Sequence, residues 1–249
     1  MPSHVLVDKT DAVLTLTLNR PEKKNALTAE MYAVLGRSID DAEQDSEVRC
    51  ILLQANGDVF TAGNDLSEFA RFNAGETDRA AGNPLLAALA RASTPIVAAV
   101  QGRAVGVGTT MLLHCDLVFV AEDALLTTPF VNLALVPEAA SSMLLPARIG
   151  HARAFSMFVL GEPVDGRTAV AWGLANAVVP AADLRAHART AAEAIAARPR
   201  AAATITKRLM RETGAIQTRM AEEGRHFAAQ LKSAEAREAF AAFQRTRGV

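Results

Sequence analysis

The residue whose type and setting most clearly suggest chemistry is Glu138. It is the only charged side chain in the stretch TTPFVNLALVPEAASSMLLP, residues 127–146. A carboxylate is rarely buried without a partner, because removing its charge from water is costly. An apolar pocket also raises the pKa of a carboxyl group, so that the group can exchange protons near neutral pH. PEAASSMLL could equally begin a helix, with Glu138 as its N-terminal capping residue, and the residues alone do not separate the two readings.

Two glycine-containing loops could supply a second kind of catalytic group. In FTAGNDL Gly63 follows a predicted strand, and in QGRAVGVGTTM Gly106 and Gly108 lead into a predicted helix. Glycine allows a close approach of the backbone to a ligand, and the N–H groups at a helix N-terminus favour negative charge. Two backbone N–H groups that converge on one oxygen would form an oxyanion hole. Each loop taken alone could also be a simple tight turn.

The predicted elements alternate between strands and helices along the first half of the chain. HVLVDKTDAVLTLTLNR reads as a β-hairpin around a Lys-Thr-Asp turn, and Thr28 caps a helix that runs to about Gln44. The strand VRCILLQA, a short helix over residues 84–91 and the strand TPIVAAVQG follow. A helix then runs to about His114, before the strands DLVFVAE and ALLTTP. Up to Thr128 the order resembles strand, strand, helix, repeated.

The composition shifts after about Pro180. From there to its end the chain is rich in Ala, Arg and Glu, with helical spacing and no strand signal. Phe240 and Phe243 lie on one face of the last predicted helix. We therefore predict an α/β core with a helical C-terminal region that packs against the core or another subunit.

Bulk properties exclude several classes of function. The net charge of −1 argues against nucleic acid as the main partner. No apolar span reaches the ~20 residues of a membrane helix, and MPSHVLVDKT lacks the features of a signal peptide, so we predict a cytoplasmic protein. Cys50 and Cys115 lie in apolar runs without metal-ligand spacing, which predicts buried free thiols and no metal site.

Several motifs together resemble one known family. NRPEKKNAL, FTAGNDL, AAVQGRAVGVG, DLVFVAEDALLTTPFVNLALVPE and EAFAAFQRTR occur in the order and at the spacings of the crotonase, or enoyl-CoA hydratase/isomerase, family. The resemblance implies a spiral of ββα units (residues 1–195) with a C-terminal helical oligomerisation region (residues 196–249). It also implies a homotrimer or hexamer acting on acyl-CoA thioesters, without a metal or redox cofactor, since CoA arrives as part of the substrate.

The same resemblance assigns roles to individual residues. The backbone N–H groups of Asn64 and Val107 would hold the thioester oxygen as it becomes an enolate. Lys23 and Lys24 would meet the CoA phosphates, although a solvated surface pair is an equally good reading. The other residues expected along the path of CoA and the acyl chain are Ala26, Ala62, Gly63, Asp65, Leu66, Gly106 and Phe130.

The positions of the two hydratase glutamates favour a different reaction. They are occupied here by Thr110 and Phe130, which cannot activate water or deliver its proton as carboxylates do. Moving a double bond needs only one base, which takes a proton from C2 of a 3-enoyl thioester and returns it at C4. TPFVNLALVPEAASS resembles peroxisomal-type Δ3,Δ2-enoyl-CoA isomerases, in which a glutamate at the place of Glu138 is that base. We therefore predict such an isomerase.

Alternative functions and lesser candidates stay open from the sequence. The alternatives are hydration with atypical residues, thioester hydrolysis, and an acyl-CoA-binding protein without catalysis. Glu68 could assist as an auxiliary acid, whereas Asp65 is expected to anchor its loop. Asp116 is predicted to be structural, His114 to be a hydrogen-bonded histidine on a buried helix, and His151 to begin a helix.

Overall fold

The backbone forms two sheets surrounded by helices. A computed structural model describes residues 3–65 and 83–246 of the chain. The strands in these ranges are β1 (Val5–Thr10), β2 (Val13–Leu18), β3 (Cys50–Ala55), β4 (Ile96–Val100), β5 (Arg103–Val105), β6 (Leu117–Ala121), β7 (Leu125–Thr127), β8 (Val164–Asp165) and β9 (Ala177–Val179). The larger sheet has the order β1-β2-β3-β4-β6-β9 and is parallel except for the β1–β2 hairpin. The smaller sheet has the order β5-β7-β8.

Helices follow the strands and then dominate the C-terminal part. Those in the described ranges are α1 (Ala29–Gln44), α2 (Pro84–Arg91), α3 (Val107–Thr110), α4 (Ser141–Ile149), α5 (His151–Phe155), α6 (Gly166–Ala171), α7 (Leu184–Ala196), α8 (Arg200–Leu209), α9 (Thr213–Leu231) and α10 (Ala234–Thr246). Single turns of 3₁₀-helix cover Pro21–Lys23, Met111–His114 and Val131–Leu133, and a π-helical turn covers Ser156–Leu160.

The central strands of the larger sheet, β2, β3, β4 and β6, are buried on both faces, which explains the continuous apolar runs of β3, β4 and β6, whereas the edge strand β1 is largely exposed. On one face α7 packs Ala188 and Ala192 against Cys50, Val97 and neighbouring side chains. On the other face lies the main core, to which α1 contributes its apolar side. That side is the predicted one, because Met31, Leu35, Ile39 and Ala42 are all buried, and Thr28 caps the helix by accepting a hydrogen bond from the Met31 N–H group.

The structure corrects the predicted elements in three places. The turn of the first hairpin lies at Asp11 and Ala12, which both have positive φ, while the lysine and threonine of the predicted turn belong to β1. A two-residue turn of this kind matches the right-handed twist of the strands that it joins. The helix predicted to run to His114 is α-helical only over α3 and continues as a 3₁₀ turn. The short strands β5, β8 and β9 were not predicted.

The C-terminal helices pack back onto the core. Helix α9 contacts α2 and α4, and its Phe227 joins the main core. Helix α8 is tied to the core by Lys207, whose ammonium donates hydrogen bonds to the Asp116 carboxylate (2.7 Å) and the Thr94 carbonyl (2.9 Å). After β9 the described chain contains helices and connections only, as the composition predicts. Over residues 3–65 and 83–246 no helix is long and apolar enough to cross a membrane.

Candidate active site

The two glycine-containing loops lie side by side. Thr61 and Ala104 form an isolated parallel β-bridge, and the Thr61 carbonyl accepts a hydrogen bond from the Val105 N–H group (3.1 Å). Gly63 has φ of 88°, and a side chain there would bring its Cβ to 2.7 Å from the Val105 carbonyl oxygen. Only glycine accommodates both the positive φ and this close approach. The loop that carries Asn64 therefore runs directly beside the loop that carries Val107.

Gly106 sets the direction of the second loop as it enters α3. Its φ of 58° and ψ of −116° are accessible to glycine and costly for other residues. Val107 is the first residue of α3, so its N–H group is among those that have no partner within the helix. Such an N–H group at a helix N-terminus is suited to an oxyanion. The predicted pairing of donors from Asn64 and Val107 is thus compatible with the backbone geometry.

The segment NRPEKKNAL supports the first loop. Asn25 is fully buried, and its amide donates to the carbonyls of Asn56 and Val59, both at 2.8 Å. Leu27 and Asn64 form an isolated bridge. The Arg20 guanidinium donates to the Asp65 carboxylate at 2.6 Å. This ion pair fits the anchoring role expected for Asp65.

The residues predicted to meet CoA surround this support. Lys23 and Lys24 are exposed, while Ala26 and Ala62 are half-buried. The Ala62 N–H group donates to the Lys24 carbonyl (2.9 Å), which joins the two segments. Their roles in CoA binding stay predictions. Leu66 and Glu68 lie outside the described residues.

Glu138 lies against the first loop. It is 9% exposed, and its Oε1 accepts a hydrogen bond from the Asn64 side-chain amide at 3.3 Å. The Tyr32 hydroxyl in turn donates to the Asn64 Oδ1 at 2.6 Å. A buried carboxylate thus sits next to the residue whose backbone is the predicted oxyanion donor. This is the arrangement that proton transfer beside an enolate requires.

The capping alternative for Glu138 is wrong in this structure. Helix α4 begins at Ser141, three residues after Glu138, and its N-cap residue Ala140 has no side-chain cap. The N–H groups at this end of the helix donate instead to Glu223 of α9, from Ala140 at 2.6 Å and from Ser142 at 2.9 Å. Burial raises the pKa of Glu223, and the charge of Glu138 raises it further, whereas these hydrogen bonds lower it. Helix α4 is therefore capped by Glu223, a residue distant in sequence, and not by Glu138.

The backbone after Glu138 is strained and held on both sides. Ala139 and Ala140 both have positive φ, 67° and 54°, which is costly for residues that carry a Cβ. Opposite Glu223, the His114 Nε2 lies 2.8 Å from the Ala139 carbonyl oxygen. The Arg211 guanidinium lies 2.8 Å from the His114 Nδ1. Arginine can only donate, so Nδ1 accepts and Nε2 carries the proton that is donated to Ala139.

His114 is therefore a fully hydrogen-bonded buried histidine, as predicted. Burial and the neighbouring Arg211 charge lower its pKa from 6.5 to about 3. Protonation thus favours the unfolded state, and the stability that the neutral ring provides is lost as the pH falls from 6.5 towards 3.

We expect the free energy of unfolding to depend on pH through this histidine. It should fall by up to about 1.4 kcal/mol per pH unit below pH 6.5 because of His114 alone. Denaturant unfolding of the wild type and of His114→Gln over a series of pH values isolates the effect as the difference between the two slopes. The variant should be less stable at neutral pH but show the shallower slope; equal slopes would contradict the assignment.

Thr110 and Phe130, at the hydratase glutamate positions, are both buried. Thr110 Oγ1 donates to the Val107 carbonyl at 3.4 Å. Phe130 is 4% exposed, belongs to the main core and packs against Phe158 with a centroid distance of 6.1 Å. No carboxylate is present at either position. A role of Phe130 along the acyl path stays a prediction.

Three residues near Glu138 were not predicted from the sequence: Tyr32, Glu223 and Arg211. Tyr32 is the only tyrosine of the chain and extends the buried face of α1. A single tyrosine on an apolar helix face could have been noticed in the sequence, but the position of its hydroxyl group could not have been predicted. Glu223 and Arg211 reach the site from the C-terminal region, and their helical sequences indicate no such contact.

Other predicted residues have structural roles. Asp116 accepts hydrogen bonds from the Ile96 N–H group and from Lys207, both at 2.7 Å, which confirms its structural role. His151 begins α5 as predicted. Cys50 and Cys115 are buried free thiols, and burial raises the pKa of each to about 12. In the part of the chain that the structure describes, no cluster of three or more His, Cys, Asp or Glu could hold a metal ion.

Comparison with known proteins identifies the family to which this chain belongs. A family model described as "Enoyl-CoA hydratase/isomerase" matches residues 8–249. A crystal structure of an enoyl-CoA hydratase/isomerase from Pseudoalteromonas atlantica T6c is 42% identical, with a TM-score of 0.93 over 98% of both chains. The chain belongs to the enoyl-CoA hydratase/isomerase family, and the expected crotonase-like α/β fold is confirmed.

Two curated relatives carry isomerase names. The chain is 33% identical to 1,2-epoxyphenylacetyl-CoA isomerase of Escherichia coli K12, over 98% of this chain and 96% of the relative. It is 31% identical to human enoyl-CoA delta isomerase 2, over 84% of this chain and 54% of the relative. The chain thus spans only about half the length of the human protein. Family membership makes it an enzyme of the enoyl-CoA hydratase/isomerase type, and an acyl-CoA substrate is consistent with that.

Proposed function

We propose that this protein is a Δ3,Δ2-enoyl-CoA isomerase in which Glu138 carries the proton from C2 to C4. The observation that carries the proposal is the buried Glu138 carboxylate beside Asn64, together with the absence of a carboxylate at Thr110 and Phe130. The backbone N–H groups of Asn64 and Val107 hold the enolate oxygen, where negative charge develops in the transition state.

The proton transfer proceeds in two steps on one side chain. The Glu138 carboxylate removes a proton from C2 of the 3-enoyl thioester, and the electrons of that bond move into the thioester carbonyl to give a dienolate. When the dienolate collapses, C4 takes the proton from the Glu138 carboxyl group. The double bond then lies between C2 and C3, and the enzyme returns to its starting state. No cofactor is consumed, since the CoA enters and leaves with the substrate.

Glu223 contributes to this function because it caps α4 in place of Glu138. With the N–H groups of Ala140 and Ser142 satisfied by Glu223, the Glu138 carboxylate is not needed to cap α4. The fixed backbone at Ala139 then holds Glu138 at the site from both sides. This arrangement supports a base in a defined position, which proton transfer demands.

The remaining assignments belong to the same proposal. Lys23 and Lys24 meet the CoA phosphates, and the thioester passes along Ala26, Ala62, Gly63, Asp65, Leu66 and Gly106 towards Phe130. Residues 196–249 form the oligomerisation region of a homotrimer or hexamer. Leu209, the last residue of α8, and Met210, which follows it, are 83% and 80% exposed, and large apolar side chains this exposed fit a contact with another subunit. The cytoplasmic location also stays a prediction.

A second candidate is rearrangement of an epoxide on an aromatic acyl-CoA. It is favoured by the likeness to 1,2-epoxyphenylacetyl-CoA isomerase, which extends over nearly the full length of both chains. The reaction would use the same acyl-CoA scaffold but a different acyl group. The two candidates therefore differ in substrate rather than in the location of the site.

Product mass separates these reactions. The wild-type protein is incubated in parallel with a 3-enoyl-CoA, a trans-2-enoyl-CoA and 1,2-epoxyphenylacetyl-CoA, and the products are analysed by mass spectrometry and by absorbance of the conjugated thioester. We expect the 3-enoyl-CoA to become conjugated without a change in mass. A product heavier by one water, release of free CoA, or turnover of the epoxide alone would each reject the proposed isomerase.

A further inference from the structure

The Asn64 side chain connects two buried groups. The Tyr32 hydroxyl donates to Asn64 Oδ1 at 2.6 Å, and Asn64 Nδ2 donates to Glu138 Oε1 at 3.3 Å. The chemistry of the three groups fixes this direction. An ionised carboxylate can only accept, so the amide must present its Nδ2 to Glu138 and its Oδ1 to the tyrosine, which then donates.

The position of the three residues makes this chain of hydrogen bonds a built feature. Tyr32 lies in the first turn of α1 and is 5% exposed, so its hydroxyl needs a partner inside the protein. Asn64 lies in the loop between Gly63 and Asp65, which is tied to Leu27 by a backbone bridge and to Arg20 by an ion pair. Both ends of the chain are thus held by independent elements, and Asn64 spans the gap between them.

We propose that Tyr32 and the Asn64 side chain are positioning residues for Glu138, and that Tyr32 acts through Asn64. This inference rests on the proposed function, because it concerns the base of that reaction. The two hydrogen bonds point towards the carboxylate and polarise each other, so they hold the Glu138 carboxylate in place beside Asn64.

Asn64 then has two functions at once. Its backbone N–H group holds the enolate oxygen, and its side chain holds the base. The distance between the oxyanion and the base is therefore set within a single residue. Positioning of this kind matters because small displacements of a catalytic group lower the rate strongly.

Kinetics of single and double variants test whether Tyr32 acts on Glu138 through Asn64. Tyr32→Phe removes one neutral hydrogen bond and should lower kcat by about 3–10-fold. Asn64→Ala removes the direct hydrogen bond to the carboxylate but keeps the backbone N–H group, and should lower kcat by roughly 10–100-fold with little change in KM. Adding Tyr32→Phe to Asn64→Ala should lower kcat no further, since the hydrogen bonds that connect Tyr32 to Glu138 are already absent.

A merely structural role of Tyr32 gives a different pattern. Its loss would then lower kcat by the same factor in the presence and absence of the Asn64 side chain. Such additive effects would overturn the proposal, as would an equal change of KM and kcat in Tyr32→Phe. Unfolding midpoints of all three variants, measured alongside, identify any that fold poorly.

A spectroscopic measurement tests the chain without relying on isomerase activity. Tyr32 is the only tyrosine, so protein labelled with 3-fluorotyrosine has a single ¹⁹F resonance. We expect Glu138→Gln to shift this resonance, because Asn64 loses its charged acceptor, and the exposed control Glu122→Gln to leave it unchanged. An equal response to both substitutions would reject the connection. If the resonance shifts but the wild type isomerises no substrate, the proposed function fails while the hydrogen-bonded chain stands.

Discussion

Replacing Glu138 with glutamine should lower kcat for isomerisation of a 3-enoyl-CoA by about 10²–10⁴-fold, the contribution of a general acid–base group. The substitution keeps the size of the side chain and one acceptor oxygen, so the Asn64 contact and the fold should survive. Binding of a saturated acyl-CoA should therefore stay within a few-fold of the wild type. Steady-state kinetics and isothermal titration calorimetry measure the two quantities separately.

A matched control separates loss of the base from a general loss of charge. Glu122→Gln removes an exposed carboxylate from the turn between β6 and β7 and should leave both kcat and acyl-CoA affinity unchanged. Turnover by Glu138→Gln close to that of this control would contradict the role of Glu138. A loss of affinity and turnover together would instead indicate that the substitution distorts the site.

The second large effect is expected at the buried ion pair of Asp116 and Lys207. Asp116→Asn should lower the free energy of unfolding by about 3 kcal/mol, because it leaves the Lys207 ammonium buried without its carboxylate. This is the low end for a buried pair, since the Asp116 side chain is 29% exposed whereas that of Lys207 is 5% exposed. Denaturant unfolding monitored by fluorescence of the single tryptophan, Trp172, provides the measurement.

The double variant compares two contributions to stability: the attraction between Asp116 and Lys207, and the cost of removing the Lys207 charge from water. Lys207→Met removes the buried charge and should cost less than Asp116→Asn, and Asp116→Asn should cost little more in that background. Equal and additive losses would mean that the two groups do not interact. Lys207 holds α8 near His114 and Arg211, which support the backbone after Glu138. A variant in which this part of the structure unfolds locally should therefore lose catalytic rate before the core unfolds.

Local signals explain which parts of the fold were predictable from the sequence. The cap at Thr28 and the apolar face of α1 depend on neighbours within one helix, and both are found as predicted. The alanine at the hairpin turn was not predicted, because nothing in its type signals a positive φ. Strands of two or three residues such as β8 carry too little alternation to be recognised.

The site was predictable only as far as single residues allowed. Glu138 was noticed because it is isolated in an apolar stretch, and the glycine loops because each joins a strand or a helix; the family resemblance then gave them their predicted roles. The partners of Glu138 were not, because they depend on tertiary contacts: Tyr32 is 32 residues from Asn64, and Glu223 is 83 residues from Ala140. The sequence predicted Asn64 for its backbone alone, whereas the structure gives its side chain a contact with the base.

Solvent deuterium incorporation shows whether Glu138 carries the proton. A 3-enoyl-CoA is incubated in ²H₂O with the wild type and with Glu138→Gln, and deuterium at C2 and C4 is followed by NMR. Over repeated reversible turnovers the Glu138 carboxyl group exchanges its proton with ²H₂O before returning it to carbon. We therefore expect the wild type to introduce deuterium at these two carbons without adding water, and Glu138→Gln to introduce it at least about 10²-fold more slowly. Incorporation by Glu138→Gln at the wild-type rate would mean that another group carries the proton.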